Sequence, residues 1–99
     1  MIHFEKTHID LGTMHNNSSK NVVFPFTGTP EGVTLNASCG CTEPIYDGIA
    51  KEVRVTFRPP QMPAGIDRQE TTRQITVIET IDGVQHTHPL TFKSIITRH

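Results

Sequence analysis

The amino-acid sequence predicts an all-β fold, a single antiparallel β-sandwich of about seven strands, and three observations carry that expectation. The first is composition. Ile, Val and Thr number 10, 7 and 14, or 31 of 99 residues, whereas Ala and Leu together number only 6. Side chains stiff at χ1 suit a pleated surface, and a chain so poor in strong helix formers does not build a helical bundle. The second is period-2 alternation, clearest at Val22–Thr27 and again at Val53–Arg58. The third is the recurrence of Gly, Pro, Asn and Asp clusters about every ten residues, the spacing of short strands joined by turns.

Taken in order, Phe4, Ile9 and Leu11 begin a strand pattern that stops at Gly12, and His15–Lys20 is a polar turn. Val22, Phe24 and Phe26 then point one way, and Val23, Pro25 and Thr27 the other. Pro25 has no N–H for a ladder, so its position belongs at an edge or a bulge. After the turn Gly28–Gly32, the alternation resumes at Val33, Leu35 and Ala37. The polar stretch Ser38-Cys39-Gly40-Cys41-Thr42 interrupts it, and Tyr46-Asp47-Gly48 leads into the next strand. Val53, Val55 and Phe57 face inward there, with Arg54, Thr56 and Arg58 outward. The segment Arg58–Thr72 holds Pro59, Pro60, Pro63 and Gly65 and is predicted to be a long exposed loop. Ile75 and Val77 restart the pattern, Asp82-Gly83 is a hairpin signal, and a last strand runs through Leu90 and Phe92 to Ile96. The expected core is Val22, Phe24, Phe26, Val33, Leu35, Val53, Val55, Phe57, Ile75, Val77, Leu90 and Phe92. Residues 1–99 form one domain on this reading.

Charge narrows the function classes. Nine Lys and Arg stand against ten Asp and Glu, a net of −1 with His neutral. No cationic excess exists to gather phosphates or acidic lipid, so neither nucleic acid nor membrane is expected as a partner. The first residues lack the basic start and apolar stretch of an export signal, and no run approaches the roughly 18 apolar residues of a membrane span. A cytoplasmic or virion location is therefore expected. The sequons beginning at Asn16, Asn17 and Asn36 read as turn chemistry.

Four stretches occur in order: Asp10-Leu11-Gly12-Thr13, Val23-Phe24-Pro25-Phe26-Thr27, Ala37-Ser38-Cys39-Gly40-Cys41-Thr42-Glu43-Pro44 and Glu52-Val53-Arg54-Val55-Thr56-Phe57. Together they resemble the bacterial domain-of-unknown-function family whose signature is S-C-G-C-T. That family is a member of the Hydin-like and major-sperm-protein-like branch of immunoglobulin-like sandwiches. The resemblance runs from about Phe4 to Ile96 and implies a single immunoglobulin-like sandwich without a described catalytic site, a fold that elsewhere serves for interaction or scaffolding. The chain departs from the family pattern before the fourth stretch, where Asp47-Gly48-Ile49-Ala50-Lys51 replaces the usual P-G-x turn, and in the length of the proline-rich loop that follows.

Among residues able to carry chemistry, Cys39 and Cys41 stand out. In a strand, positions i and i+2 lie about 6.5–7 Å apart, at or beyond the reach of a disulfide unless Gly40 bends the chain into a strained bridge. As thiolate ligands they need two more donors, and His86 and His88, spaced to share a strand face, are candidates. The plainer reading is two small thiols flanking a glycine turn. Neither His86-Thr87-His88 nor Ser38 has a recognisable nucleophile or base beside it, so no enzymatic activity and no cofactor are expected. A proline-stiffened loop loses little entropy on docking, which makes Pro59, Pro60, Met62, Pro63, Ile66 and Arg68 the candidate contacts for a protein partner. Arg54, Arg58, Arg68 and Arg73 lie in or around this loop, with Asp67 and Glu70 balancing them. A sheet edge free of proline and charge is the other candidate surface. The expected function is a non-enzymatic structural or interaction domain that assembles with a larger complex, in one concrete form an accessory decoration protein on a virus or phage particle. The alternative is a thiol redox or metal-binding protein built on Cys39 and Cys41.

Overall fold

The computed structural model describes residues 1–37, 42–59 and 61–98. Eight strands make up the fold: β1 (Ile2–Phe4), β2 (His8–His15), β3 (Lys20–Gly28), β4 (Val33–Ala37), β5 (Thr42–Asp47), β6 (Glu52–Phe57), β7 (Arg68–Ile81) and β8 (Val84–Thr97). They form two four-stranded sheets, ordered β1-β3-β6-β5 and β2-β8-β7-β4, with no helix among the described residues. The all-β expectation holds, with one strand more than the predicted number.

Alternation explains the core. Val22, Phe24 and Phe26 on β3 and Val53, Val55 and Phe57 on β6 are buried on one face, and register sets Val22 beside Val55 and Phe24 beside Val53. From the other sheet come Ile75, Val77, Leu90, Phe92 and Ile96. The Phe57 and Phe92 rings meet edge to face at 5.2 Å and bridge the two layers. Of the expected core, only Val33 and Leu35 fall short of full burial, because both lie on edge strand β4; they pack against the cluster half-buried. Ile2, Met14 and Met62 are core residues that the alternation does not reveal.

The turns follow from backbone chemistry. Asp82 and Gly83 both have positive φ, 51° and 78°, as the type I′ hairpin turn requires. Asp47 accepts the N–H groups of Ile49 and Ala50 at 3.1 and 2.9 Å and so closes the turn before β6. Pro25 also obeys its restriction. Phe26 donates its N–H to the Lys51 carbonyl on the β6 side, so the preceding residue faces the opposite side, where β1 reaches no farther than Phe4 opposite Phe26.

Three expectations need correction. The sandwich is not purely antiparallel, since β2 runs parallel to β8, with His8 opposite Thr91 and His15 opposite Thr97. The exposed loop is shorter than Arg58–Thr72, because β7 begins at Arg68, paired with Thr97, and continues without a break to Ile81 opposite Val84. Polar residues there extend the ladder because β8 offers a partner for every one of them. Finally, Met62 is not available on the loop surface: it is 5% exposed and belongs to the core. The 14-residue strands of this hairpin, at about 3.3 Å per residue, account for most of the molecule's 51 Å length.

Candidate functional site

One end of the sandwich contains a fully buried carboxylate. Glu79 shares the parity of Ile75 and Val77 on β7, which turns its side chain inward, and it is 0% exposed. Its Oε1 accepts the Ile2 N–H at 2.9 Å and lies 3.0 Å from His88 Nε2; its Oε2 accepts the Glu31 N–H at 3.4 Å. Burial alone would raise the pKa of this carboxyl. The donors from Ile2, His88 and Glu31, with the positive chain terminus nearby, outweigh it and lower the pKa below the ordinary glutamate value. One side chain therefore ties β1, the β3–β4 turn and β8 to β7. The same carboxylate, with burial as the larger cause and Asp47 as a lesser one, pushes the Tyr46 hydroxyl up. Sequence reading missed Glu79: its parity with Ile75 and Val77 is the signal that could have found it, but its charge argues for the opposite face.

His88 sits edge to face against Phe4, with ring centres 5.8 Å apart. It lines a surface cleft of about 320 Å³ together with His3, Thr7 and Thr87. A carboxylate beside an imidazole is how a general base is oriented, but here both carboxylate oxygens also hold backbone N–H groups of other elements, which is the pattern of a structural clamp. His86 and His88 stand two positions apart on β8, and the register sets His86 opposite Glu79 and His88 opposite Val77. Among the described residues no three His, Cys, Asp or Glu side chains are grouped so as to hold a metal. Cys39 and Cys41 lie outside the described residues, as does Pro60 of the candidate partner contacts.

The proline-rich loop is clamped from the chain's far end. Arg98 donates from Nε to the Ile66 carbonyl at 2.8 Å and from an Nη to the carbonyls of Met62 and Pro63, while its backbone N–H reaches the Asp67 carbonyl at 3.1 Å. Met62 fixes the same loop from beneath. Of the predicted contacts, Pro63, Ile66 and Arg68 are exposed and Pro59 is half-buried. Arg68 belongs to β7 and not to the loop. Arg98 is the residue that sequence reading missed here, since nothing local connects it to a loop some 30 positions earlier.

Four strands stand at sheet edges, and they differ in how they are closed. β1 is three residues long. β2 breaks register between Asp10 and Thr13, where Asp10 accepts the Gly12 N–H at 2.8 Å. β5 carries Pro44, and its acidic residues Glu43 and Asp47 are ion-paired with Arg58 and Arg54 at 2.7 and 3.2 Å. Among the described residues β4, Val33-Thr34-Leu35-Asn36-Ala37, is the one edge strand longer than three residues that has neither proline, charge nor register break.

The chain matches no protein-family model, no curated protein and no solved structure.

Proposed function

We propose that this chain is a non-enzymatic structural or interaction domain with an immunoglobulin-like sandwich, working as a component of a larger protein assembly. The strand order supports the fold type. Lettered as A, B, C, D, E, F and G, the strands β1, β3, β4, β5, β6, β7 and β8 form sheets A-B-E-D and C-F-G, the arrangement of an immunoglobulin constant-type domain, with β2 added beside G. The observation that carries the function is the β4 edge, the one edge of four without a blocking device among the described residues. The buried Glu79 and the half-buried His88, which otherwise invite a catalytic reading, serve the fold. The loop around Ile66 remains a secondary contact surface, but deleting it would remove Met62 from the core and so would not leave the domain intact.

The test is to sediment native source material through a density gradient and locate the chain by mass spectrometry. Comigration with a large particle is the expected result and would favour the accessory-protein form of this reading. A chain confined to the light fraction, free of any protein complex, would remove it.

A further inference from the structure

We propose that β4 pairs with β4 of a second copy of this chain, antiparallel about Leu35, joining two four-stranded sheets into one of eight. This rests on the reading of the chain as an interaction domain and names the surface and its occupant. Thr80 donates its N–H to the Gly32 carbonyl at 3.2 Å, and Val33, Leu35 and Ala37 lie opposite Glu79, Val77 and Ile75. In an antiparallel ladder the bonded and non-bonded pairs alternate. Gly32 is a bonded position, so Thr34 and Asn36 turn their N–H and C=O groups toward β7. Val33, Leu35 and Ala37 turn theirs outward. Among the described residues none of these outward groups has a backbone partner.

The edge complements itself. An antiparallel pairing about Leu35 sets Leu35 against its own copy and Val33 against Ala37, so each outward N–H meets an outward C=O. On the solvent face Thr34 falls beside Asn36, a hydroxyl next to an amide. On the inner face a larger side chain meets a smaller one at Val33 and Ala37, and the half-buried row Val33, Leu35 and Ala37 gains cover at its open side. No charge lies in Val33–Ala37, so nothing repels across the two-fold axis, and an isologous contact of this kind closes as a dimer without growing into a fibre. The other three edges lack this symmetry, being short, bulged, or carrying proline and charge.

Sedimentation of the full purified chain tests this directly. The expected mass is twice the 11.1 kDa of the chain, falling to the single mass on dilution. The double variant Thr34→Lys with Asn36→Lys places lysine against lysine across the axis and should sediment at half the wild-type mass with an unchanged circular dichroism spectrum. Mixing it with Thr34→Glu plus Asn36→Glu should restore the twofold mass. Should the variants fail to fold, amide exchange on the wild type keeps the question open to decision: the N–H groups of Val33, Leu35 and Ala37 should exchange faster on dilution, while those of Thr34 and Asn36 do not change. A wild-type chain that stays monomeric when concentrated, or a lysine variant that stays dimeric, overturns the proposal. If that monomer nevertheless comigrates with a particle in native material, a foreign strand occupies the edge and the interaction reading stands without self-pairing.

Discussion

Glu79 shows how much of the architecture can hang on one side chain. A buried carboxylate is tolerated only when donors surround it, and here the donors are two backbone N–H groups from other elements and an imidazole. Gln in its place has one acceptor oxygen, so it can satisfy Ile2 or Glu31 but not both. Glu79→Gln is expected to destabilise the domain by about 2–3 kcal/mol at neutral pH, read as a shift of the urea midpoint. The pH dependence has a definite sign. Because the folded-state pKa is lowered, the stabilisation is complete above the ordinary glutamate value of about 4.3 and is lost as pH falls through the lower folded value. The gap between wild type and Glu79→Gln should therefore narrow as pH is taken from neutral to below the ordinary glutamate value. A gap of the same size at both pH values would show that the loss comes from packing and not from the charge.

At the scale of elements, β1 and the proline-rich loop are each held by a feature with its own signature. Gly28 pairs with Ile2, has φ +96°, and a Cβ built on it would fall 2.3 Å from the Met1 carbonyl oxygen. Gly28→Ala thus adds a backbone clash to a left-handed penalty of about 1–2 kcal/mol, and it should release β1, speeding amide exchange at His3 and Thr27. A variant that loses stability while those two amides stay protected would contradict this account. For the loop, Met62→Ala should lower stability by about 2–4 kcal/mol. Arg98→Ala should instead open the segment from Met62 to Ile66 to limited proteolysis, because three carbonyls lose their donor together. Equal protease resistance in wild type and variant would mean that Met62 alone holds the loop. These two elements also mark where the sequence was legible. Val22, Phe24 and Phe26 announce β3 by alternation, and Asp82-Gly83 announces its hairpin by the turn that only such residues make readily. Met62 stands alone among prolines with no periodicity to give its direction. Arg68–Thr72 carries a polar composition that suggests a loop, and only the presence of β8 residues Lys93–Thr97 alongside makes it a strand. The candidate site was less legible still: parity turns Glu79 inward, but its donors, like the β4 edge, depend on which strands are neighbours, which no local pattern states.

Across the whole molecule, the two ends of the chain meet. β2 lies parallel to the second half of β8, Thr91 donates its N–H to the Thr7 carbonyl and Asn16 to the Thr97 carbonyl, both at 2.8 Å. β7 and β8 form the longest ladder, and their hairpin turn is the strongest local signal in the chain, which makes this hairpin the natural place to look for an independent folding unit. Its inward face argues otherwise. Ile75, Val77, Leu90, Phe92 and Ile96 are covered by the opposite sheet, and Glu79 receives its backbone N–H donors from residues 2 and 31, outside the hairpin. A two-stranded ribbon with an uncovered apolar face is at best marginal in water, and this one would also expose a carboxylate that has lost two of its donors. A peptide of residues 68–97 is therefore expected to show no cooperative thermal transition by circular dichroism. The full chain, whose closure requires long-range pairing, should refold from urea on the millisecond-to-second scale typical of all-β domains. A hairpin peptide that melts cooperatively by itself would place the stability of this fold in the β7–β8 ladder and not in the contact between sheets. It would also require the chain to refold faster than that range, since the ladder would then form before the ends had met.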